Sequence, residues 1–404
     1  MVSDTDFFLA YMLAALHCSL HNEQAAGSVL DDAEREQAWH LLSYALRMEK
    51  AWQPARDLLL ALAPKMEQAG FRGDWLAYLQ QGESCATQLG DRRGAAELQL
   101  HIGHLHRLTS QFAAARCVLE QSLAHFTELG DGRGRVRALN HLGYVEWQAH
   151  HYEEANRLAE ATLLLCEGED AETRQERAMS LSVLGLVAKE QLRWPDAEKY
   201  QRRALTIRSE LGLVREAAFS LQNLGAALCE QREFVEGISS YEQALTILTE
   251  SNDTYHCAII QMNLGQVHHN QGNYEKAILL SQQAEACFRR HQAQHYLTGI
   301  STNLAVAYLA MKDWHQAECY FLQSIHAYTE LGNEIWRLLT MDGLAESYLG
   351  QQRYGEAQDL LLTIQSELAP MVNEPYYGYL CQAVVQHLQA AQAGVQSTQK
   401  ELRG

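Results

Sequence analysis

The sequence has few residues that interrupt helices, with five prolines in 404 residues. Proline lacks a backbone N–H and clashes with the preceding helical turn, so its scarcity permits long, unbroken helices. Basic residues are also in the minority, because 32 Lys and Arg face 50 Asp and Glu, a formal net charge of −18. This balance argues against a general nucleic-acid-binding protein, which needs positive charge to displace counterions from phosphates.

The cysteines and the hydropathy of the sequence indicate in which cellular compartment the protein is expected. The nine cysteines include no Cys-x-x-Cys pair, and an odd number does not suit a closed set of disulfides. Such usage is typical of a reducing compartment, and the first residues lack a basic leader, so we expect a cytoplasmic protein. The apolar stretch from Phe7 to Leu20 is too short and too polar to span a bilayer, so no membrane association is predicted.

Motifs for catalysis and for cofactor binding are missing. The sequence contains no Gly-x-x-x-x-Gly-Lys-Ser/Thr phosphate loop and no Gly-x-Ser-x-Gly elbow. Of the 18 histidines, His291 and His295 are one helical turn apart, but no Cys or carboxylate nearby completes a familiar metal-ligand set. We therefore predict a protein that is not an enzyme and has neither a metal site nor a cofactor.

What the sequence does contain is a unit of about 40 residues that recurs seven times. Each unit has an apolar residue followed by a small one, an aromatic nine residues after the small residue, and Ala or Gly three residues later. The small residues are Gly103, Gly143, Gly185, Gly225, Gly265, Ala305 and Ala345, and the aromatics are Phe112, Tyr152, Trp194, Phe234, Tyr274, Trp314 and Tyr354. A period of this size indicates an array of small units that bury their apolar faces against one another.

Each unit is predicted to be a pair of antiparallel helices. In residues 213–251, apolar residues recur at helical spacing in two stretches that are separated by a short polar segment at 231–233. The aromatic opens the second helix, and the small residues let the two helices approach closely. Gly90 and Gly130 follow the last apolar positions of second helices, where a left-handed cap is expected, and Asp91 and Asp131 can cap the helices that follow.

These residues resemble the tetratricopeptide repeat family, which has Leu-Gly in the first helix, an aromatic before the second and small residues within it. The resemblance covers roughly 100–370, with units of 40 residues rather than the usual 34. The long units are similar to those of kinesin light chains and of bacterial signalling-sensor arrays. The resemblance implies an all-α fold, namely a right-handed superhelical solenoid of antiparallel helix pairs with an N-terminal helical extension and a C-terminal capping helix.

The N-terminal part, 1–93, is predicted to hold irregular helices. A helix is expected over 4–21, followed by a linker over 22–32. A degenerate repeat is marked by Leu42, Ser43, Trp52, Ala55 and Gly70. Since Ser43 and Gly103 are one and a half periods apart, we predict an extra helix at about Asp74–Leu89.

The central part, 94–370, is predicted to hold the seven helix pairs, and the last part, 371–404, a capping helix and a tail. Pro370 and Pro375 bracket a predicted break. Residues 376–393 continue the pattern and give the capping helix, because terminal units commonly depart from the repeat. The polar residues after Gly394 are expected to form a frayed tail.

Asparagine recurs at one position of the repeat, two residues before the small residue, which we call the ladder position. It is occupied by His101, His141, Val183, Asn223, Asn263, Asn303 and Gly343. An Asn amide both donates and accepts hydrogen bonds, so a row of amides can hold a peptide backbone. The resemblance implies that first helices line the inside of the superhelix and that Asn223, Asn263 and Asn303 bind an extended peptide. Alternatively, these amides bond to a neighbouring helix and only orient it.

Other polar and aromatic residues flank the ladder position and complete the predicted binding face. They are Gln222, Gln266, His269, Asn140, Tyr144 and Trp147. Taken singly, each of them is better explained as ordinary solvated surface. Arg133, Arg135 and Arg137 make the first third less acidic, which suits either an acidic ligand or a solvated turn.

Two functions remain open from the sequence. The first is a protein-interaction scaffold that holds an extended peptide or a partner protein on the first helices. The second is a regulatory sensor that responds to a peptide or a small ligand and controls a partner, as the resemblance to bacterial sensor arrays implies. In either case the predicted partner is a protein or peptide and not a nucleic acid, and the oligomeric state is left undetermined.

Overall fold

The structure, a computed structural model, describes residues 4–25, 32–68, 72–290, 293–369 and 378–401. Within these ranges the regular secondary structure is helical and no strand occurs. The chain divides into two compact units, Met1–Asp253 and Thr254–Gly404. The division into three parts at residues 93 and 370 remains a prediction.

The first unit begins with four helices and a short 3-10 turn. They are α1 (Asp4–Ala25), α2 (Asp32–Ala45), the turn Glu49–Ala51, α3 (Trp52–Gln68) and α4 (Arg72–Leu89). Helix α4 covers the predicted extra helix, and Trp52 opens α3 as the degenerate repeat requires. Their apolar faces meet in one core that includes the fully buried side chains of Leu16, Leu58 and Trp75.

Two details of this region differ from expectation or cannot be compared with it. Helix α1 continues to Ala25, so the first residues of the predicted linker 22–32 are helical, and Asp32 already begins α2. The remainder of that linker and Gly70 lie outside the described residues.

Four helix pairs complete the first unit. They are α5 (Arg92–Leu108) with α6 (Phe112–Glu128), α7 (Gly132–Gln148) with α8 (Tyr152–Leu165), α9 (Ala171–Glu190) with α10 (Trp194–Glu210), and α11 (Val214–Glu230) with α12 (Phe234–Glu250). The aromatic of each repeat is the first residue of the second helix, as predicted. Asp91 and Asp131 accept hydrogen bonds from the N–H groups of Gly94 and Gly134, both at 2.9 Å, and so cap α5 and α7.

Ion pairs join successive repeats of the first unit near the start of each first helix. Arg93 on α5 binds the α7 cap residue Asp131 at 3.0 Å, and Arg215 on α11 binds Asp253 at 2.7 Å. The carboxylate of Asp253 is almost fully buried, whereas Arg93 is mostly exposed. Removal of Arg215 would therefore cost more stability than removal of Arg93, because it would leave the buried carboxylate of Asp253 without its partner.

The described residues of the second unit form three helix pairs and one further helix. They are α13 (Thr254–Asn270) with α14 (Tyr274–Arg290), α15 (Gln294–Ala310) with α16 (Trp314–Glu330), α17 (Glu334–Gly350) with α18 (Tyr354–Leu368), and α19 (Gly378–Glu401). Helix α19 packs on α17 and α18 through Leu380, Val384 and Ala391. The predicted break between Pro370 and Pro375 lies outside the described residues.

The prediction of a frayed tail after Gly394 is wrong for the residues up to Glu401. Helix α19 continues through Gly394 and ends at Glu401. Gly394 is a contact residue rather than a terminator. A Cβ atom at this position would lie 2.3 Å from the Tyr354 ring, so the absence of a side chain lets α19 approach α18.

The turn inside each of the seven helix pairs contains a residue with a left-handed backbone conformation, which was not predicted from the sequence. It stands two residues before the aromatic and has φ between 58° and 79° at Ser110, His150, Leu192, Arg232, Gly272, Lys312 and Gln352. Only one of these seven is glycine, although a left-handed conformation costs an L-residue roughly 1–2 kcal/mol. The glycines predicted as left-handed caps after second helices, including Gly90 and Gly130, do adopt positive φ, at 72° and 66°.

Candidate functional site

The three asparagines of the ladder position lie at equivalent points of first helices. Asn223 is on α11 in the first unit, and Asn263 and Asn303 are on α13 and α15 of the second unit, two helices that contact each other. All three side chains are half-buried. Among the described residues, none of the three amides makes a hydrogen bond, although nearby Thr302 bonds to Ser324 and Tyr328.

Three flanking residues of α11 and α13 also reach the surface. Gln222 is half-buried, and its Oε1 is shielded from solvent without a hydrogen-bond partner in the described part of the chain. Gln266 is exposed and donates to Asn270 Oδ1 at 3.0 Å. His269 is half-buried, with its ring 5.4 Å from that of Tyr274.

Asn140 must be withdrawn from the predicted binding face. It is 1% exposed, and its amide donates to the backbone carbonyl and to the carboxylate of Glu176 at 3.0 and 2.8 Å. Its Oδ1 accepts from Ser180 at 2.7 Å. The side chain thus joins α7 to α9, and no part of it is available to a ligand. Burial raises the pKa of Glu176 and the bond from Asn140 opposes that rise.

Tyr144 and Trp147 form an aromatic edge on α7. Both are half-buried and pack beside Val183 and Leu184 of α9. The Arg107 guanidinium lies 5.5 Å from the centre of the Tyr144 ring, a cation–π distance. The indole N–H of Trp147 is shielded and has no hydrogen-bond partner among the described residues.

Sequence reasoning missed a basic cluster on α5 and α7. The His104 and His141 rings meet edge to face with centroids 5.3 Å apart, and Arg107 Nη2 lies 3.3 Å from His104 Nδ1. Burial holds the pKa of His141 well below its usual value, and four basic neighbours lower it further. They are His104, Arg107, Arg137 and His101. The available signal was the recurrence of histidine at the ladder position in two successive repeats.

No group of three or more His, Cys, Asp or Glu side chains in the described residues is arranged to hold a metal ion. Of the two histidines considered from the sequence, His291 and the side chain of His295 are not described. No helix in the described ranges is long and apolar enough to cross a membrane.

Comparison with known families agrees with the helix-pair geometry. Two models described as tetratricopeptide repeat match residues 177–211 and 216–290. The chain carries tetratricopeptide repeats. The matched segments correspond to α9–α10 and to α11–α14, so the repeats are present in both compact units. A search of curated protein sequences found no match.

A solved structure with a tetratricopeptide repeat sensor aligns with most of this chain. A signal transduction ATPase with numerous domains and a tetratricopeptide repeat sensor, from Pyrococcus horikoshii, aligns with a TM-score of 0.61 and 15% identity over 88% of this chain. The alignment covers 55% of that protein, so the chain spans about half its length. At such low identity the likeness shows the fold alone.

Two further structures are complexes with a bound partner. A Rap protein complexed with competence and sporulation factor aligns with a TM-score of 0.55 and 15% identity, covering 85% of this chain and 98% of that one. NprR in complex with its cognate peptide NprX aligns with a TM-score of 0.50 and 13% identity, covering 71% and 81%. These likenesses also concern the repeat fold.

Proposed function

We propose that the protein is a non-enzymatic scaffold that binds an extended peptide, or an extended segment of a partner protein, on its first helices. The observation that carries the proposal is the hydrogen bonding of three side chains, those of Asn223, Asn263 and Asn303. These residues are half-buried, and their amides make no hydrogen bond within the described residues, so the amides are available to a ligand. A peptide backbone presents the alternating donors and acceptors that such amides require.

The alternative that the asparagines only orient neighbouring helices receives less support. That role needs a bond from the amide to an adjacent helix, as Asn140 makes to Glu176 at 2.8 Å. Gln222, next to Asn223 on α11, has a side-chain oxygen that is shielded from solvent and has no hydrogen-bond partner in the described part of the chain. The nine cysteines are free thiols, and we retain the cytoplasm as the proposed location because such thiols persist in a reducing compartment.

A matched pair of variants tests the proposal. Peptides selected from a random display library against the wild-type protein are measured with the triple variant Asn223→Ala, Asn263→Ala, Asn303→Ala. The control triple is Gln243→Ala, Gln283→Ala, Gln323→Ala, which removes three exposed amides at the same 40-residue spacing from the second helices α12, α14 and α16.

We expect the asparagine triple to weaken the selected peptides by roughly tenfold or more, because each lost hydrogen bond contributes about 0.5–1.5 kcal/mol. The glutamine triple should leave their affinity unchanged. Equal affinity for the wild type and the asparagine triple, or failure to select any peptide, would reject the proposal.

A regulatory sensor is the second candidate, and it is favoured by the likeness to NprR in complex with its cognate peptide NprX and to Rap complexed with competence and sporulation factor. In this case the bound peptide alters the arrangement of the repeats and thereby the activity of a partner. Small-angle scattering of the protein with and without a selected peptide separates the two functions. A change in the radius of gyration supports the sensor, and constant dimensions support the scaffold.

A further inference from the structure

A surface groove of the second unit lies beside the turn between α15 and α16. It encloses about 770 Å³, and its lining includes Glu275 and Ile278 of α14, Tyr308 of α15 and Asp313 of the turn. Ligand pockets commonly have volumes of about 300–1,000 Å³. The groove, which we call the Tyr308 groove, is therefore large enough to receive a side chain of another molecule.

In the next repeat the equivalent point is filled by a side chain of the protein itself. Tyr348 stands six residues before the aromatic that opens α18, as Tyr308 stands six residues before the aromatic that opens α16. The Arg353 guanidinium lies over the Tyr348 ring, 4.1 Å from its centre, and donates to Glu318 at 2.7 Å. It also donates to both oxygens of Glu356, at 2.7 and 2.5 Å. A tyrosine at this point thus binds a guanidinium that carboxylates hold in place.

Two repeats of the first unit fill the same point with other polar contacts. His106 stands six residues before its aromatic, and its Nδ1 lies 2.7 Å from Oε1 of Gln111. Glu146 has the same place in the following repeat and bonds to Arg116 and His151, both at 2.7 Å. The Tyr308 groove therefore lies at a point that three other repeats close with their own side chains.

The residues that line the Tyr308 groove include a ring and two carboxylates but no guanidinium. Asp313 occupies the position that Arg353 has in the next repeat. Its Oδ1 accepts from the N–H of Gln316 at 3.2 Å, and its Oδ2 makes no hydrogen bond with a described residue. Glu275 is exposed and forms no ion pair within the described residues. Both carboxylates are thus available to a cation from outside.

The Tyr308 side chain is held in a fixed orientation. Its ring is nearly parallel to that of Tyr320, with 5.8 Å between the centroids, and its hydroxyl accepts from Gln282 at 3.0 Å. Burial raises the pKa of Tyr308, and the charge of Asp313 raises it further, which indicates a negative potential at the ring. Lys312 is the opposing charge in the lining, and it is exposed. A cation that binds here meets a ring that is already ordered.

We infer that the Tyr308 groove binds an arginine side chain of a protein partner. The guanidinium stacks on the Tyr308 ring, as Arg353 stacks on Tyr348, and donates to the carboxylates of Asp313 and Glu275. The formal net charge of −18 also favours the approach of a basic segment. The groove is separate from the ladder position, so the inference does not rest on the asparagines.

Calorimetry with two synthetic octapeptides of equal charge tests the inference. One alternates Ala and Arg, and the other alternates Ala and Lys. We expect the Ala-Arg peptide to bind the full-length protein about threefold more tightly, because a planar guanidinium stacks on an aromatic ring better than an ammonium group does. Equal affinity for the two peptides, or no binding of the Ala-Arg peptide, would overturn the inference.

A matched pair of double variants locates the binding. Glu275→Gln with Asp313→Asn removes both carboxylates and keeps the helix cap, since Asn caps a helix as well as Asp. We expect it to weaken the Ala-Arg peptide about fivefold. The control, Glu242→Gln with Asp359→Asn, removes the same charge from exposed positions of α12 and α18 and should leave the affinity unchanged. An equal loss in both variants would show unspecific attraction and contradict the inference.

A third variant closes the groove from within. Ile278→Glu with Asp313→Arg reproduces the positions of Glu318 and Arg353, so the new guanidinium should cover Tyr308. We expect the preference for the Ala-Arg peptide over the Ala-Lys peptide to disappear, whereas a preference that persists would place the arginine elsewhere and overturn the inference. Circular dichroism confirms that each variant keeps its helices.

The proposed function and this inference can fail separately. The triple variant of the asparagines should bind the Ala-Arg peptide as the wild type does. A loss in that triple variant would place this peptide on the ladder position and reject the groove. Failure of the groove leaves the proposed function intact, because display-selected peptides and the asparagines test that function.

Discussion

Arg116 on α6 donates two hydrogen bonds to the Glu146 carboxylate on α7, from Nε to Oε1 at 2.5 Å and from Nη2 to Oε2 at 2.7 Å. His151 Nδ1 lies 2.7 Å from the same Oε2. Burial alone would raise the pKa of Glu146, but the bonds from Arg116 and His151 outweigh burial and lower it. The carboxylate side chain is only 6% exposed, so these bonds are its main source of stabilisation.

Glu146→Gln should therefore lower the free energy of unfolding at pH 7 by about 2 kcal/mol, somewhat less than for a fully buried pair because Arg116 is partly exposed. Because the folded pKa is lowered, the contribution of the ion pair is present above the unfolded value near 4.5. It is lost as the pH falls through the folded pKa. Urea unfolding of both proteins at several pH values checks this. A difference that stays constant down to pH 3 would contradict it.

The small residues of two first helices should respond oppositely to alanine. At Gly103 a Cβ would lie 2.5 Å from Leu119 Cγ in the buried contact between α5 and α6. At Gly143 the nearest atom is Val183 Cγ1 at 3.5 Å, an ordinary contact. We expect Gly103→Ala to destabilise by about 1–3 kcal/mol through overpacking.

Gly143→Ala should instead stabilise by up to about 1 kcal/mol through helix propensity. Midpoints of chemical unfolding, compared for both variants in one buffer, test the pair. Two variants that shift the midpoint in the same direction would disprove the packing argument.

Substitutions at two turn residues with a left-handed backbone should also change the stability in opposite directions. Leu192 has φ 58° and is 70% exposed, so Leu192→Gly removes strain without loss of burial. We expect a gain of about 0.5–1 kcal/mol, since relief of left-handed strain exceeds the entropic cost of glycine. Gly272→Ala, at φ 79° with open space around it, should cost about 1 kcal/mol. Thermal unfolding measures both, and a destabilised Leu192→Gly would show that its side chain contributes contacts.

The asparagines can also be tested through stability alone. Asn223→Ala, Asn263→Ala and Asn303→Ala remove no hydrogen bond seen in the described residues, so the triple variant should be as stable as the wild type or more stable. Asn140→Ala should cost about 2–3 kcal/mol, because Glu176 and Ser180 lose a buried partner. A triple variant destabilised as strongly as Asn140→Ala would show that the ladder position is structural.

The capping helix α19 should be more stable against local unfolding at low pH. His387 Nδ1 on α19 lies 2.8 Å from Asp342 Oδ1 on α17, and the bond to Asp342 raises the pKa of His387 against the opposing effect of burial. The stabilisation is therefore complete below the unfolded value near 6.5 and is lost as pH rises through the folded pKa. Hydrogen exchange of α19, corrected for intrinsic rates, should slow at pH 6 relative to pH 8. Asp342→Asn should remove this difference.

The helix pairs were predictable because their determinants are local. The aromatic and the small residue of a repeat, such as Tyr152 and Ala155, mark the start of the second helix at fixed offsets. The caps Asp91 and Asp131 depend only on the residues that follow them. These patterns can be recognised from the residues of one repeat, without knowledge of its neighbours.

The proposed binding face was only partly predictable because it depends on contacts between repeats. Asn140 resembles an exposed groove residue in the sequence, but Glu176 and Ser180 of the next first helix enclose it. The pairing of His104 with His141 likewise requires α5 and α7 to lie side by side. Gly394 was misread because its contact, Tyr354, lies 40 residues earlier.

Within each compact unit, the substantial contacts join helices that are one or two positions apart along the chain. Among the described residues, the substantial contacts of α15 and α16 are therefore with helices one or two positions away in the second unit. Removing residues 294–333, one whole period, would bring Ala293 directly before α17 with the repeat register intact. The number of repeats can therefore change in whole-repeat steps, so a gene duplication or deletion of 120 bases can lengthen or shorten the proposed binding surface without redesigning the core.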